Sequence, residues 1–219
     1  MIVRSVSLGV IFWLGLLCYT QAQNIQAASW KLEKEKSDIK VYKRPFDGGD
    51  GKESKAVMEI ESSLNALVAL IKDSEAGTKW LSKIKIFETV ETVDEKEWYT
   101  YAEAELPFPF SNRDLVTRNY IRQFSNKTVR VYLESATEKV AEKKGLKRIK
   151  EAEGFWQFRP LSNGKVEVIY QFYSEPHLDL PAWIKDPIIA NGLITTMKNL
   201  RDEVKKEEYQ DQKLSYIKE

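Results

Sequence analysis

Residues 98–114 read WYTYAEAELPFPFSNRD, and the first half of this stretch alternates in the manner of a β-strand. Small side chains occupy one face of the strand: Thr100, Ala102 and Ala104. The opposite face carries tyrosines and glutamates. Because charged side chains are rarely buried, we expect the glutamate face to be wet and the small face to point inward. An inward face of small side chains leaves space for either a packed core or a hollow, and alternation alone does not distinguish the two.

The chain on both sides of this strand alternates in the same way. Two strands are predicted in 37–45 and 52–62, and a meander of strands near 84–93, 97–106, 113–124, 128–138, 153–160 and 165–175. The inward residues of the later strands include Val131, Leu133, Val168, Tyr170 and Phe172. These patterns predict one long antiparallel sheet.

The helical signals lie at two places. Helical spacing predicts a helix over 65–73, capped by Ser62 or Ser63, and a short second helix around 78–82. A long helix begins at Leu180–Pro181, and its apolar stripe is formed by Ile184, Ile188, Leu193, Ile194, Met197, Leu200 and Val204. Beyond Val204 the sequence is almost entirely polar, so we expect the helix to extend past the body of the domain or to fray there. The fold class is therefore α+β, with helices packed on one side of the sheet.

The N-terminal residues have the layout of a secretory signal. Residues 1–22 contain Arg4, an apolar run ending near Cys18, and a small-residue cleavage pattern. We predict a signal peptide over 1–22, a linker over 23–29, one domain over 30–206 and a polar tail over 207–219. The protein is then secreted or periplasmic, and the alternative is an uncleaved membrane anchor.

The composition excludes several classes of protein. Hydrophobic residues make up 42% and charged residues 31%, which is typical of neither a disordered chain nor a multi-span membrane protein. The 34 basic and 33 acidic residues nearly cancel, which argues against a dedicated nucleic-acid binder. With one Cys and one His, an internal disulfide and a Cys/His zinc site are excluded, and we predict no cofactor. The many aromatics favour a protein that holds an apolar molecule over one that transforms it.

A set of motifs in order resembles a known family. They are Trp30, DIKVY (38–42), LPFPFSNRD (106–114), GFWQFRP (154–160), VIY (168–170), LPAWI (180–184) and TMKNLR (196–201). In this order and spacing they resemble the steroidogenic acute regulatory protein-related lipid transfer (START) domain family over residues 30–206. The PFPxSNRD segment is most similar to the phosphatidylcholine-transfer branch.

This resemblance implies a fold and a function. The expected fold is a helix-grip fold, in which a curved antiparallel sheet wraps the long C-terminal helix around an internal hydrophobic tunnel. The expected function is noncovalent binding, and by extension transfer, of a lipid or other hydrophobic ligand by a secreted monomer that is not an enzyme. The candidate tunnel residues are Thr100, Ala102, Ala104, Arg113, Asn119, Val131, Leu133, Val168, Tyr170, Phe172, Trp183, Ile188, Leu193 and Met197.

Some of these positions depart from the family or have two interpretations. Some relatives place a tunnel-facing Arg where this chain has Asn119, and a tunnel acid where it has Thr100, so the resemblance implies a less polar tunnel. Arg113 and Asp114 match a family pair, but local bonds to backbone carbonyls and amides are favoured for them. Trp183 is either a gate residue or a core anchor.

Two functions compete with lipid binding. A helix-grip enzyme of the cyclase or hydrolase type would need paired acids or a His in the tunnel, and His177 is predicted to lie in a loop instead. An interaction module with a filled core is the other alternative.

The segment 142–150, EKKGLKRIK, carries five basic charges in nine positions. It is either a membrane-contact site used during lipid exchange or a solvated connection between strands.

Overall fold

The computed structural model describes residues 29–175 and 182–219. For residues 182–184 it describes the backbone alone, and side chains are described again from Lys185 onward. The strands are β1 Lys31–Lys36, β2 Ile39–Pro45, β3 Lys52–Ile60, β4 Ile84–Thr92, β5 Glu97–Ala104, β6 Arg113–Gln123, β7 Val129–Ser135, β8 Lys147–Arg148, β9 Ala152–Pro160 and β10 Val166–Ser174. The helices are α1 Leu64–Lys72, α2 Gly77–Trp80, α3 Ala182–Glu203 and α4 Glu207–Gln210. Within the described ranges, every helix is too short or too polar to span a bilayer.

The strands form one curved antiparallel sheet in the order β1-β2-β3-β10-β9-β7-β6-β5-β4. The short strand β8 adds to β6 in parallel. The pairing of β3 with β10 brings the N-terminal strands beside the meander. The predicted α+β helix-grip arrangement is confirmed, with α1, α2 and α3 packed on the concave side.

The main core lies between the sheet and the helices. Met197 and Leu200 of α3, and Val204 directly after it, are fully buried in it, as the apolar stripe predicts. The N-cap of α1 is Ser63, whose hydroxyl accepts a hydrogen bond from the Ala66 amide at 3.0 Å. These contacts fix the helices against the sheet and so position the space between them.

The expectation that the chain extends past the body of the domain or frays after α3 is wrong. Residues 207–219 fold back over α1, and Tyr209 and Ile217 become buried there. The carboxylate of Glu219 accepts hydrogen bonds from the backbone amides of Leu64 (3.1 Å) and Asn65 (2.8 Å). An acidic side chain is stabilised at this position by the unpaired amides and the positive end of the helix dipole. The polar composition of this segment concealed these two apolar anchors.

The outer face of β5 is not wet as expected. Tyr101 is fully buried and Glu103 nearly so. The segment after β7 crosses this face, and Ala136 packs against Tyr101 and Val116 in a second small cluster. Alternation places side chains on one face or the other, but it does not reveal which segment covers the polar face.

A buried ion pair holds that covering segment. Asp114 accepts two hydrogen bonds from Arg148, at 3.0 and 2.7 Å, and both side chains are almost completely buried. Arg148 also donates to the carbonyls of Thr137 and Val140. The hydrogen-bonded Asp114 carboxylate raises the pKa of the Arg148 guanidinium above its already high ordinary value. Asp114 therefore pairs with a distant Arg, and the expected local bonds to backbone amides are replaced by this contact.

Candidate functional site

An internal cavity lies under α2, against the concave face of the sheet. We call it the inner cavity; its volume is 110 Å³. Strands β4, β5, β6, β7, β9 and β10 contribute its walls, with α1 and α2 closing it. Its lining residues are Ile71, Trp80, Leu81, Ile84, Phe87, Trp98, Thr100, Ala102, Leu115, Thr117, Asn119, Leu133, Trp156, Tyr170 and Phe172. No charged side chain is among these residues, all of which belong to the described part of the chain.

Local packing explains where this cavity is placed. At Gly77 a Cβ atom would lie 2.1 Å from the Phe87 ring, so only glycine allows α2 to approach β4 this closely. This approach puts Trp80 over the sheet, where its ring meets the edge of Trp156 at 5.5 Å. Trp156 stacks in turn on Tyr170 at 4.0 Å. The aromatic rings therefore form a continuous wall.

Opposite these rings the cavity wall is polar but neutral. Thr100, Thr117 and Asn119 are all nearly fully buried. The two threonine hydroxyls lie 2.9 Å apart, and the Asn119 amide nitrogen donates to the Thr100 hydroxyl at 3.0 Å. The Thr117 hydroxyl donates to the side-chain amide oxygen (Oδ1) of Asn119 at 3.4 Å. We call these three residues the polar triad; in one consistent assignment each member donates to the next around a closed ring.

A second cavity opens where the first turns of α3 meet the sheet. We call it the mouth; its volume is 170 Å³. It is lined by Glu33, Val41, Tyr42, Lys43, Lys52, Ser54, Phe172, Ser174, Glu175, Lys185, Asp186, Ile189, Ala190 and Leu193. Phe172 lines both the mouth and the inner cavity. This one ring therefore stands between the two spaces.

Charged groups close the mouth on one side. Asp186 of α3 accepts hydrogen bonds from Lys43 of β2 at 3.1 Å and from Lys52 of β3 at 3.0 Å. Lys43 also pairs with Glu33 at 2.5 Å. Partial burial raises the pKa of Asp186, but the two ammonium groups outweigh it and the net pKa is lowered. These ion pairs tie the start of α3 to the sheet edge.

The structure brings together about half of the predicted tunnel residues. Six of them line the inner cavity: Thr100, Ala102, Asn119, Leu133, Tyr170 and Phe172. Leu193 lines the mouth, as Phe172 does. Their contact with a ligand stays a prediction.

The remaining candidates lie elsewhere. Val131, Val168 and Met197 are fully buried in the core and line neither cavity. Ile188 is half-buried on α3. The side chain of Trp183 and all of His177 lie outside the described residues.

Two further candidates lie at the end of the sheet. Ala104 pairs with Arg113, and neither residue lines a cavity. Arg113 is buried and donates to the carbonyl of Ser111 at 2.8 Å, the local backbone bond that was favoured for it. By alternation, both residues belong to the inward-facing set of their strands, but they lie beyond the end of the inner cavity.

Sequence reasoning missed several lining residues. Trp156 and Thr117 have the inward parity of β9 and β6, so the alternation contained the signal for both. Trp80 lies on a helix of four residues, which is too short to show a period. Trp98 lies two positions before Thr100 on β5, so the same alternation places it on the inward face and could have identified it.

The chain is similar to known proteins over most of its length. The family model of the START domain matches residues 19–209. An uncharacterized protein of Pseudomonas aeruginosa is 28% identical over 185 residues, which cover 84% of this chain and 91% of that protein. The phosphatidylcholine transfer protein of Homo sapiens is 25% identical over 189 residues, covering 82% of this chain and 86% of that protein.

A solved structure supports the same relationship. The crystal structure of a STAR-related lipid transfer protein from Xanthomonas axonopodis superposes with a TM-score of 0.73 at 26% identity, covering 81% of this chain and 99% of that one. The sheet, the C-terminal helix and the family match over most of the sequence agree with one another. The chain belongs to the START domain family.

Proposed function

We propose that this protein binds a lipid or other hydrophobic molecule noncovalently in its interior and carries it between membranes. The observation that carries this proposal is an inner cavity with a mostly apolar, uncharged lining that continues toward the mouth at the shared ring of Phe172. Removing a methylene group from water is favourable by about 0.8 kcal/mol, so such a site needs few polar contacts to bind tightly.

The relatives indicate which ligand to test first. Among the matching proteins, the human one is named for phosphatidylcholine transfer, and the one from Xanthomonas axonopodis for lipid transfer. A diacyl phospholipid is therefore the first ligand class to test. We propose binding without catalysis, since the lining of the inner cavity, drawn from the described residues, includes no acid, base or nucleophile of the Asp, Glu, His, Lys or Cys type.

Ligand entry is proposed to occur at the mouth. The two cavities of 110 and 170 Å³ are small for a diacyl lipid, so loading requires the walls to separate. The first turns of α3 are tied to β2 and β3 by the ion pairs of Asp186, which are only partly buried. Partly exposed pairs of this kind contribute little stability and break at small cost.

The transfer proposal also includes a membrane-contact surface. Phe108, in the loop between β5 and β6, is 97% exposed. Pairing of β8 with β6 places the segment 142–147, with its exposed lysines Lys143, Lys144 and Lys147, beside this loop. An exposed aromatic ring beside lysines is suited to the interface of an anionic membrane. Arg148 does not contribute, since it is buried against Asp114.

We further propose that residues 1–22 act as a cleaved signal and that the protein works as a monomer outside the cytoplasm. The composition of this segment supports the first statement.

Extraction of bound compounds tests the central proposal. The full chain is expressed, the folded protein is purified without detergent, and compounds released by organic solvent are identified by mass spectrometry. Transfer is then measured with phosphatidylcholine vesicles that contain a self-quenched fluorescent phosphatidylcholine. We expect a hydrophobic compound to be recovered or fluorescence to rise with protein concentration. Recovery of nothing, with no binding across a panel of phospholipids and sterols, contradicts the proposal.

A further inference from the structure

The wall of the inner cavity contains a hydrogen-bond donor that the protein leaves unused. Trp80 is only 2% exposed, and its indole Nε1 has no hydrogen-bond acceptor. Burying an N–H group without a partner costs stability, and such groups are uncommon in folded proteins. Trp80 also lines the inner cavity, so a bound molecule that carries an acceptor would lie against the same side chain.

A second donor lies two rings away along the same wall. Tyr170 is partly accessible and lines the inner cavity. Burial alone raises the pKa of its hydroxyl, with no contribution from a charge or a hydrogen bond. Because Tyr170 lines the inner cavity, part of its accessible surface faces this cavity. Trp156 lies between the two donors, stacked on Tyr170 at 4.0 Å and in edge contact with Trp80 at 5.5 Å.

The opposite wall offers no further donor, and none of its oxygens accepts from the Trp80 indole. The polar triad of Thr100, Thr117 and Asn119 satisfies its own donors and retains only spare lone pairs. None of the cavity-lining residues in the described ranges is charged. An anionic group brought into this cavity would therefore lose its hydration without gaining a counter-charge, which is costly.

We propose that the inner cavity receives a neutral ligand group that carries an oxygen acceptor, such as a ketone or ester carbonyl, bonded by the Trp80 indole with the Tyr170 hydroxyl as second donor. This inference rests on the proposed function that the cavity takes up a hydrophobic molecule. It adds that an amphipathic ligand keeps its anionic group out of this cavity.

Three probes with the same number of carbons test this inference: 2-undecanone, undecane and undecanoate. Each is titrated into ¹⁵N-labelled full-length protein at pH 8, and the tryptophan indole N–H signals are recorded by NMR. The Trp80→Phe variant assigns the Trp80 signal. We expect 2-undecanone to move this indole proton downfield, as a new hydrogen bond does, while undecane and undecanoate do not produce the downfield shift.

Substitution supplies the quantitative test. Trp80→Phe removes the donor and keeps an aromatic ring, so we expect 2-undecanone to bind about fivefold more weakly relative to undecane than it does to the unsubstituted protein. Tyr170→Phe is expected to have a smaller effect in the same direction. Trp30→Phe is the matched control, because the Trp30 ring packs beneath Arg44 and Lys55 and lines neither cavity.

The outcomes separate this inference from the proposed function. If undecane and 2-undecanone both bind but the Trp80 signal does not move downfield, and Trp80→Phe leaves their ratio unchanged, this inference is wrong and hydrophobic binding stands. A downfield shift with undecanoate overturns the requirement for a neutral group. If no probe binds and no compound is recovered by extraction, the proposed function itself fails. The wild-type spectrum gives an answer even if Trp80→Phe does not fold.

Discussion

The inner cavity and the mouth are neighbouring spaces in one interior, yet their polar groups are of opposite kinds. The inner cavity has neutral groups, and the polar triad satisfies itself over distances of 2.9–3.4 Å. The mouth has charged groups, and Asp186 connects the first turns of α3 to two lysines of the sheet. Among the residues that the structure describes, only Phe172 lines both spaces.

The difference follows from access to water. Near the surface an ion pair costs little to form or break, because water replaces the lost partner. In the interior an unpaired charge is costly, whereas a neutral ring of hydrogen bonds that is already complete tolerates an apolar neighbour. The mouth is therefore the part suited to opening, and the inner cavity is the part suited to remaining fixed around a ligand.

The largest effect is expected from filling the inner cavity. Ala102 lines it, and Ala102→Trp would occupy space that a ligand needs. We expect binding of a fluorescent lipid to weaken by about 100-fold, equivalent to losing the burial of three or four methylenes. Overpacking should lower the free energy of unfolding by about 1–3 kcal/mol while the transition stays cooperative.

Ala104→Trp is the matched control, because Ala104 lies on the same strand but lines neither cavity. Equal loss of binding in both variants would show that Ala102 does not line the ligand site. Complete unfolding of the Ala102 variant alone would indicate a packed core at this position.

The polar triad gives an intermediate effect. Asn119→Leu removes the partner of both threonine hydroxyls, and we expect the free energy of unfolding to fall by about 1–3 kcal/mol. Replacing all three residues, by Thr100→Val, Thr117→Val and Asn119→Leu together, should cost less than the sum of the single changes because no polar group is left unpaired. Urea unfolding measures both; strictly additive losses would show that the three groups do not act as a ring.

The smallest effect is expected at the mouth. Asp186→Asn should lower the free energy of unfolding by about 0.5–1 kcal/mol at pH 7. The lysines lower the folded-state pKa of Asp186 below its ordinary value of 3.8. The stability that the ionised Asp186 adds to the wild-type protein is therefore complete above pH 3.8, and it is lost as the pH falls through the lower folded-state pKa. Unfolding of both proteins between pH 2 and pH 7, with and without added salt, checks this.

A difference between wild type and Asp186→Asn that persists at pH 2 would contradict the ionic origin of the contact. The triad variants serve as the comparison, since their losses should be independent of pH and salt over the same range.

The helical spacing of apolar residues and the alternation of side chains along strands made much of this architecture predictable. The strands of the meander, the two short helices and the apolar stripe of α3 were all predicted near their observed bounds because each buries one face. Parity also placed Asn119 inward and Arg118 outward, where Arg118 pairs with Glu97 at 2.8 Å. The segment β1 was missed because its sequence KLEKEK has no buried face to generate a pattern.

Long-range contacts were the part that sequence patterns did not reveal. Parity does not say how far along a strand a cavity extends, so Ala104 and Arg113 were grouped with Ala102 although they lie past its end. The pairing of Asp114 with Arg148 joins residues 34 positions apart, and nothing local marks it. Trp80 entered the site only because Gly77 lets a four-residue helix pack tightly on Phe87.

The return of residues 207–219 onto α1 has a practical consequence for protein engineering. A shortened domain ending at residue 206 would follow the boundary that composition suggests, but it would discard Tyr209, Ile217 and the Glu219 carboxylate. The start of α1 would then present bare amides and an uncovered apolar patch to solvent, a combination that favours aggregation. Fusion partners and affinity tags are therefore better attached so that Glu219 keeps its place, and crystallisation trials should retain the full segment.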